Sequence, residues 1–362
     1  MKQNRRIAST VLAICSVLSV AFFAASCAPK YPEGLYAEVT TVGKGLFVFK
    51  IDFEHTPMTA ANFVGLAEGT IQNGAVPPGT PYFDGSKWHR VVPGHVIQCG
   101  VPKNGKEEGL GYSFPNEIYP GITHGKAGTV GMANGGPHTN GSQWYVTLGD
   151  RTYLDGIYTA WGEVIQGLAV VLAIVQEDEI QTVKIVRVGK AAKAFRPTTE
   201  SFKQMMDEAW ARVKKEDADR KAAEDAAVLS GWPQAIAGEN GVKYVVLAEG
   251  KGKPAAAGEK IQVAYSGKGL LGGEMFASVA ENGTPYRGET PAGFEYEVGK
   301  TKINPGFDAQ VSAMKPGEKR TVIVPADQAY GNNGFFAKQR EGEKRFVIAP
   351  QTALVYMVER IK

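Results

Sequence analysis

The chain has 362 residues, which corresponds to two or three domains of about 150 residues each. Hydrophobic residues make up 43% of it and charged residues 21%, the composition of an ordinary globular protein. Its formal net charge of +3 falls to zero if residues 1–26 are removed, because Lys+Arg then drops from 40 to 37 against 37 acidic residues. This balance argues against a nucleic-acid-binding protein, and we expect no nucleic acid among the partners.

The N-terminus has the pattern of an export signal. The basic segment MKQNRR precedes the apolar segment IASTVLAICSVLSVAFF, and AASC follows at 24–27. Small residues before a cysteine resemble the lipobox of bacterial lipoproteins, although Ala24 stands where leucine is usual. We therefore expect a signal peptide at 1–26, an acylated Cys27, a tether at 27–34 and a lipid-anchored location in the bacterial cell envelope, periplasmic or surface-facing. Ordinary signal cleavage and an uncleaved membrane anchor are the alternatives.

The region 35–195 consists mainly of short alternating segments (AEVTTV, GLFVFKIDF, WYVTL, TVKIVRV) separated by Gly, Pro and Asn turns. This density of short strands predicts a barrel or a sandwich. TPMTAANFVGLAEG at 56–69 is the helical exception, with Thr56 as its N-cap and Pro57 in its first turn.

The stretch KWHRVVPGHVIQCG places an arginine inside a strand pattern. Along a strand Trp88, Arg90 and Val92 share one face, and after the Pro-Gly break Val96 and Gln98 share a face. A charged group in an apolar run is costly unless it is paired or functional. The stretch predicts either a surface that combines a guanidinium, an amide and an apolar floor, or an edge strand whose arginine reaches water.

No pattern in the sequence indicates a metal or a cofactor. The five histidines are scattered, none pairs at metal-ligand spacing, and no CxxC, HExxH or phosphate-loop pattern occurs. Cys99 lies in a strand-like run, where a small buried residue is a better interpretation than a nucleophile. We expect neither a metal site nor a bound cofactor.

From 197 to 229 the composition of the chain changes to a balanced mixture of acidic and basic residues with alanine. Six apolar residues recur there on one helical face, namely Phe202, Met205, Met206, Ala209, Trp210 and Val213. SFKQ at 201–204 can form a capping box, and Gly231 with Pro233 ends the helix. The stripe predicts packing on a neighbouring domain or subunit with Trp210 buried, while a chaperone-like apolar strip is the alternative.

A second β-rich region runs from 241 to 362, with the segments VKYVVLAEG, KIQVAYSG, GFEYEVG, KRTVIV and TALVYMVERI. GFDAQVSAM at 306–314 predicts its one obvious helix. The two β-rich regions share no repeat, so we predict two different folds.

With GTVGMANGGPHTNGSQWYVTLGDRTYLDGIYTAWGEVIQG at 128–167, the first region resembles the cyclophilins, and WHRVVPGHVIQ extends the resemblance. The resemblance implies a closed eight-stranded antiparallel β-barrel with two helices and peptidyl-prolyl cis-trans isomerase activity. It assigns catalysis to Arg90, with Gln98 holding it. It assigns peptide binding to nine further residues, namely His95, Val96, Ala133, Asn134, Gln143, Tyr145, Tyr153, Leu154 and Tyr158.

This activity explains an arginine in a strand. An X–Pro bond isomerises slowly because amide resonance sets a barrier of ~18–20 kcal/mol. A guanidinium aimed at the prolyl nitrogen stabilises the twisted, deconjugated amide more than the planar one, so it lowers the barrier without a nucleophile or a metal.

Four positions depart from the cyclophilin pattern. His95 and Tyr145 stand where phenylalanine is usual, Tyr153 replaces the tryptophan associated with cyclosporin, and Tyr158 replaces a histidine. These departures predict weak cyclosporin binding and a more polar proline pocket. Because Arg90 is retained, we still expect catalysis.

The second region resembles the FKBP family of macrolide-binding prolyl isomerases, through VAYSG, MFAS, FEYEVGKTKINPGFDAQVSAMKPGEKRTVIVPADQAYGNNG and PQTALVYMVERI. The resemblance implies a twisted antiparallel sheet wrapped on a short helix. It also implies an aromatic socket that binds proline, and it assigns that socket to Tyr265, Phe276, Phe294, Ile303, Phe307, Tyr330 and Tyr356.

This second match also departs from its family. Ala277 replaces the usual aspartate, and Asn304 replaces an isoleucine whose backbone N–H grips ligand. The loops at 279–293 and 335–346 look expanded. We expect only weak macrolide binding, and catalysis by this region is open.

The sequence therefore predicts a mainly β protein with two isomerase-type domains, at 35–195 and 241–362, joined by a helical connector at 196–240. Its expected partners are proline-containing unfolded or exported polypeptides, whose folding it would assist, and a membrane reached through the lipid anchor. The alternative is a lipid-anchored holding chaperone whose FKBP-like domain has little catalytic activity. A surface adhesin that reuses these folds is a third reading.

Overall fold

The computed structural model describes residues 30–103, 110–279, 283, 286–287, 290–336 and 346–362. In that part the chain is mainly β, with an antiparallel sheet in each half and a long helix between the two halves. The proposed signal peptide and Cys27 lie outside the described residues. In the described part, no helix combines the length and the apolar character needed to cross a membrane.

The first sheet contains eight strands, and its predicted strand segments are confirmed. The strands are β1 (Gly34–Thr41), β2 (Gly45–Ile51), β3 (Arg90–Val92), β4 (Val96–Cys99), β5 (Thr129–Met132), β6 (Trp144–Thr147), β7 (Ala160–Gln166) and β8 (Ile180–Val188). In spatial order they run β3-β4-β6-β5-β7-β2-β1-β8.

This sheet is a curled half-barrel that stays open between β3 and β8, so the closed barrel is not observed. Strand β3 has only three residues, because the Pro-Gly turn after Val92 ends it. The segment before β3 contacts β8 instead. The Gly85 N–H donates to the Ile180 carbonyl (2.7 Å), and the Ile180 N–H donates to the Ser86 carbonyl (2.8 Å). Loop contacts rather than a strand ladder therefore bridge the seam.

Among the described residues, three α-helices accompany this sheet: α1 (Pro57–Glu68), α2 (Leu168–Ala173) and α3 (Lys190–Ala194). The concave face of the sheet and α1 enclose a core of aromatic rings. The ring of Phe63 in α1 lies 4.8 Å from that of Trp161 and 5.6 Å from that of Trp144, centroid to centroid.

Trp88 is fully buried in this core, whereas Arg90 is exposed. The expectation that Trp88 and Arg90 share one face is wrong, because the strand begins only at Arg90 and the alternation does not extend back to Trp88.

The N-terminus of α1 is capped by a distant carboxylate. Thr56 occupies the N-cap position, but its hydroxyl donates to the Asp52 carbonyl (2.6 Å) and caps nothing. The Glu117 carboxylate instead accepts from the backbone N–H groups of Met58 (3.0 Å) and Thr59 (2.6 Å). The predicted Thr56 cap is therefore wrong, because a charged acceptor from another loop binds the free N–H groups at this end of the helix.

Helix α4 (Thr199–Gly231) connects the two halves and ends at the predicted glycine. Its capping box uses Thr198 and Ser201, so the predicted box at 201–204 is displaced by three residues. Packing of the stripe on the first domain is confirmed, since Phe202 and Ala209 are buried in its core and Met205 packs against that core. Trp210 is only half-buried, so full burial was wrong.

The second sheet wraps on α5 (Pro305–Ala313), as predicted, with Phe307 fully buried between sheet and helix. The sheet strands are β9 (Ile236–Ala237), β10 (Lys243–Ala248), β11 (Lys260–Gly269), β12 (Phe276–Ala277), β13 (Tyr286–Arg287), β14 (Phe294–Glu297), β15 (Lys319–Val324) and β18 (Leu354–Arg360). Their spatial order is β13-β12-β11-β18-β15-β10-β9, with β14 also paired to β11. Strands β16 (Phe335–Phe336) and β17 (Phe346–Ile348) form a separate ribbon.

The C-terminal end of α4 packs on the outer face of this second sheet. Val228 forms a buried cluster with Ile323 of β15 and Val355 of β18. At 1.5 Å per residue, the 33 residues of α4 extend about 50 Å. One continuous helix therefore contacts both domains.

Candidate functional site

A row of residues crosses four strands of the first sheet on its outer face. Arg90 of β3 lies opposite Gln98 of β4, Gln98 opposite Tyr145 of β6, and Tyr145 opposite Gly131 of β5. Residues directly opposite each other in an antiparallel sheet point to the same face. A Cβ on Gly131 would come within 2.4 Å of the Tyr145 ring, so a glycine is needed for the ring to lie flat there.

Arg90 is both exposed and held in place, so each of the two sequence interpretations is partly correct. Its Nη1 donates to Gln98 Oε1 (3.1 Å), and Gln98 Nε2 donates to Gln143 Oε1 (2.6 Å). Among the described residues, Arg90 has no carboxylate within ion-pair distance. The guanidinium is thus oriented by amides while its charge stays uncompensated.

Beside the guanidinium lies a groove of about 740 Å³ with an apolar floor. Val96, Tyr145 and Leu154 are buried in the floor, where Tyr153 also packs. The structure thus brings together all eleven residues that the sequence assigned to this site. The groove is lined by Arg90, His95, Val96, Gln98, Ala133, Asn134, Gly135, Thr139, Gln143, Tyr145, Leu154 and Tyr158. Gly135 and Thr139 were missed, although both lie inside the quoted motif.

One wall of the groove is polar. Arg151 Nε donates to His95 Nδ1 (2.9 Å), and the Tyr153 hydroxyl lies 3.1 Å from the same nitrogen. An arginine N–H can only donate, so Nδ1 accepts and the neutral imidazole carries its proton on Nε2. Arg151 also donates to the backbone carbonyls of Gly94 and Asp150. Arg151, which no sequence motif indicated, therefore sets the tautomer of His95.

A second polar chain lies behind the floor. The Tyr145 hydroxyl is 2.9 Å from His124 Nε2, and His124 Nδ1 is 2.7 Å from Asp155 Oδ1. Burial lowers the pKa of His124, an effect that the Asp155 carboxylate partly offsets. The carboxylate keeps the proton on Nδ1, so the Tyr145 hydroxyl donates to Nε2. Burial also raises the pKa of Tyr145, which stays a neutral donor. The sequence contained no local signal for His124, since its partners lie 21 and 31 residues away.

The side chain of Asn134 is fully engaged behind the groove. Its Nδ2 donates to Asn140 Oδ1 (3.0 Å) and Asn116 Oδ1 (3.3 Å), and its Oδ1 accepts from the Gly136 N–H (3.3 Å). Among the described residues, the backbone N–H and carbonyl of Asn134 form no hydrogen bond. The side chain therefore anchors the residue, and its backbone can bind a peptide.

The seven residues predicted for the second site also come together, in the core between the sheet and α5. The Phe307 ring lies edge-on to Tyr265 (4.9 Å) and to Tyr356 (5.1 Å), centroid to centroid. Ile303 and Tyr330 are partly exposed, whereas Tyr265, Phe276, Phe294, Phe307 and Tyr356 are buried. Burial raises the pKa of Tyr330 to about 12, so its hydroxyl is protonated at neutral pH.

Two departures from the FKBP pattern alter the polar contacts of this second site. Asn304 Nδ2 donates to the Tyr356 hydroxyl (2.8 Å), while Asn304 Oδ1 caps α5 by accepting from the Phe307 N–H (2.9 Å). Ala277 is buried and offers no acceptor, and the Tyr265 hydroxyl donates instead to the Gly283 carbonyl. Residues 337–345 of the expanded 335–346 loop lie outside the described residues, as does much of 279–293.

Comparison with known proteins identifies the first domain. Residues 36–190 match the family model described as cyclophilin type peptidyl-prolyl cis-trans isomerase. Peptidyl-prolyl cis-trans isomerase CYP18-2 of Arabidopsis thaliana is 36% identical over 166 residues, which cover 43% of this chain and 94% of that protein. The chain belongs to the cyclophilin-type peptidyl-prolyl cis-trans isomerase family.

Other relatives match the cyclophilin-type domain over different lengths. Human peptidyl-prolyl cis-trans isomerase-like 1 is 33% identical over 165 residues, which cover 43% of this chain and 91% of that protein. Peptidyl-prolyl cis-trans isomerase A of Mycobacterium tuberculosis is 44% identical over 115 residues, or 31% of this chain, and the chain spans only 63% of that relative's length. The crystal structure of a cyclophilin-type isomerase of Cryptosporidium parvum is 26% identical in sequence. The match covers 43% of this chain and 98% of that one, with a TM-score of 0.36.

The second sheet has a match of its own. Residues 251–361 match the family model described as FKBP-type peptidyl-prolyl cis-trans isomerase. The chain therefore combines a cyclophilin-type domain with a region similar to a second, unrelated family of prolyl isomerases.

We predict that His124 makes the cyclophilin-type domain less stable in acid. Its pKa is lowered in the folded protein by burial, while the unfolded chain has the ordinary value of 6.5. The unfolded chain therefore binds a proton that the folded chain does not, and the free energy of unfolding falls as pH drops from about 6.5 towards the folded pKa. The measurement is urea unfolding at a series of pH values between about 7.5 and 5.

Replacing His124 should remove this contribution, so His124→Asn should flatten the dependence of stability on pH. His55→Asn is the matched control for the substitution itself, because it removes a more exposed imidazole outside the groove. An unchanged slope in His124→Asn would contradict the assignment.

Proposed function

We propose that the protein is a peptidyl-prolyl cis-trans isomerase whose main active site is the groove of the cyclophilin-type domain. The observation that carries this proposal is Arg90, held at 3.1 Å by Gln98 beside an apolar floor, with no carboxylate neutralising its charge among the described residues. A prolyl ring on the floor formed by Val96, Tyr145 and Leu154 would place its nitrogen beside the guanidinium.

Catalysis then follows from differential stabilisation. In the planar amide the prolyl nitrogen lone pair is delocalised and accepts hydrogen bonds poorly. In the twisted transition state the lone pair is localised, so the Arg90 guanidinium binds it more strongly and lowers the barrier. Gln98 limits the motion of Arg90, which makes the donor preorganised.

The remaining groove residues would bind the peptide. The free backbone groups of Asn134 suit an extended peptide backbone, and Gln143 extends the amide chain that begins at Arg90. His95 and Tyr153 make the pocket wall polar where the family is usually aromatic and apolar. We therefore propose that cyclosporin binds weakly.

The FKBP-type region is proposed as a second proline-binding site with weakened macrolide affinity. Support comes from the buried aromatic cluster in which Phe307 lies edge-on to Tyr265 and Tyr356, the apolar surroundings that a prolyl ring requires. The Asn304 to Tyr356 hydrogen bond adds a polar contact at its back, and Ala277 lacks the acceptor that a carboxylate provides. For this second site we propose binding of proline-containing chains and not catalysis.

We further propose that the protein is lipid-anchored through Cys27 in the bacterial cell envelope, where it assists folding of exported, proline-containing chains. The motif AASC after an apolar segment supports the anchor. Slow X–Pro isomerisation is a step that can limit the folding of exported chains, so two domains that bind proline would both act on that step.

A holding protein that binds chains without turnover is the second candidate, and the partly exposed stripe of α4 favours it.

We predict that Arg90→Ala lowers isomerase activity by at least about a hundredfold, because it removes the group that stabilises the twisted amide. Arg90→Lys should restore little, since an ammonium lacks the planar donor fork. A protease-coupled assay on a prolyl peptide measures both rates.

Arg196→Ala is the matched control, because Arg196 is exposed and outside the groove, and its activity should equal that of the unaltered protein. Near-full activity of Arg90→Ala in the isolated cyclophilin-type domain, without the FKBP-type region, would refute the mechanism. Suppression of client aggregation that persists in Arg90→Ala would instead favour the holding protein.

We predict that Ala277→Asp strengthens macrolide binding by about tenfold or more, which corresponds to ~1.4 kcal/mol. A carboxylate at this buried position could accept from the Tyr265 hydroxyl and from the ligand. Titration of the full chain with a macrolide, followed by aromatic fluorescence, gives the affinities. Ala256→Asp, at an exposed position outside the socket, is the control. Tight macrolide binding by the unaltered protein would show that the loss at Ala277 is compensated elsewhere.

We predict that Cys27 is acylated and that Cys27→Ser abolishes its acylation. Mass spectrometry of the N-terminal peptide and partitioning into detergent are the measurements, since stable attachment requires more than one acyl chain. A Cys27→Ser protein that still fractionates with membranes would indicate an uncleaved anchor.

A further inference from the structure

Helix α4 packs against the segment that lies directly behind the groove. Phe202 is 3% exposed, and its ring centroid is 5.2 Å from that of Tyr112 and 5.9 Å from that of Phe114. The Tyr112 hydroxyl donates to Asn62 Oδ1 (2.7 Å), which ties the same segment to α1. The segment 112–116 is therefore held between α1 and the first turns of α4.

Two turns further along α4, Trp210 contacts the loop that carries Asn134. Its ring centroid is 6.3 Å from that of His138, with the planes at 56°. His138 has a φ of 61°, a left-handed conformation that a residue other than glycine keeps only when its surroundings hold it. Glu216 and Asp217, on the next turns of α4, also act on this imidazole, raising its pKa against the larger lowering by burial. His138 thus lies along the helix rather than in open solvent.

The two contacts converge on Asn134 through a cluster of asparagines. The Asn116 N–H donates to His138 Nδ1 (3.3 Å), and Asn116 Oδ1 accepts from Asn140 Nδ2 (2.8 Å) and from Asn134 Nδ2 (3.3 Å). Asn140 Nδ2 also donates to the Phe114 carbonyl (3.1 Å), and Phe114 is the residue that Phe202 packs against. A continuous set of contacts therefore leads from α4 to the groove.

We infer that α4 is a positioning element of the active site: Phe202 and Trp210 hold the segment 112–116 and His138, and these hold Asn134 in place to bind the peptide backbone. The inference deepens the proposed function and rests on it. Residues 199–213 lie outside the 36–190 match to the cyclophilin family, so the helix that supports the groove from behind is not part of the matched segment. Because the same helix continues to Val228 on the second sheet, the FKBP-type region is attached to a part of the cyclophilin-type site.

The expected kinetic effect follows from the role of Asn134. Rotation about the X–Pro bond turns one flank of the peptide relative to the other, and in this proposal Asn134 binds the flank that stays fixed. Its backbone would therefore contact the peptide equally in the ground state and the transition state. Loosening it should therefore raise KM and leave kcat nearly unchanged. Trp210 is accordingly a positioning residue, and it touches neither the substrate nor Arg90.

The experiment compares variants of the full chain in the prolyl-peptide isomerase assay. Trp210→Ala should raise KM about three- to tenfold, the range expected for loss of one aromatic contact, with kcat within about twofold of the unaltered protein. Trp210→Phe should restore most of the affinity because it keeps a ring against His138. Leu229→Ala, at a residue that is 72% exposed on the same helix, should change neither constant.

An unchanged KM in a folded Trp210→Ala protein would overturn the inference, and so would a fall in kcat with KM unchanged. If Trp210→Ala does not fold, His138→Asn tests the same contact from the loop side, since asparagine tolerates the left-handed conformation but lacks the ring. His138→Asn should show the same rise in KM, and an unchanged KM would overturn the inference. Absence of isomerisation by the unaltered protein would contradict the proposed function itself.

Discussion

The alternation of side chains along β4 and β6 is the constraint on which the rest of the cyclophilin-type domain depends. Trp144 is fully buried among the core rings, and its neighbour Tyr145 lies on the opposite face, in the floor of the groove. Ile97 and Gln98 alternate in the same way. A slip of one residue would exchange the two faces, and burial of the indole ring of Trp144 prevents that slip. The position of Arg90 opposite Gln98 follows from this register.

Three of the departures from the two family patterns place polar groups that find partners. The additional hydroxyl of Tyr145 reaches His124, the imidazole of His95 is held by Arg151, and the amide of Asn304 reaches Tyr356. Among the described residues, the buried side-chain atoms that lack a partner are His89 Nδ1, Trp144 Nε1 and Trp161 Nε1, and none of them belongs to these substitutions. The pockets have thus become more polar without leaving buried groups unsatisfied, which would cost ~1–3 kcal/mol each.

Helix α4 has two different environments along its length. Its first four turns bury Phe202 and Ala209 on the cyclophilin-type domain, and its end buries Val228 on the second sheet. Between them the charged residues from Lys214 to Asp219 are exposed, stabilised by ion pairs along the helix such as that between Lys215 and Asp219. A helix bound at both ends and solvated in the middle separates the two domains by a set distance, which a flexible linker would not do.

Part of this organisation could be predicted from local patterns. Period-two alternation indicated the strands of both sheets, and the 3.6-residue stripe indicated α4 and the face that packs. The motifs identified the groove residues, because they carry Arg90, Asn134 and Tyr145 at spacings that the sheet register then brings together. The predicted capping box lies three residues too far along the chain. The observed box was not recognised because serine, rather than glutamate or glutamine, occupies its third helical position.

The sequence by itself determined the elements, their faces and the composition of the groove, because these depend on residues close together along the chain. The tertiary structure alone decided that Glu117 caps α1, that His124 anchors Tyr145, and that the seam between β3 and β8 is bridged by loops. It also decided that Trp210 stays half-exposed against His138. Each of these depends on a contact between residues far apart in the chain, and periodicity contains no information about which distant groups will meet.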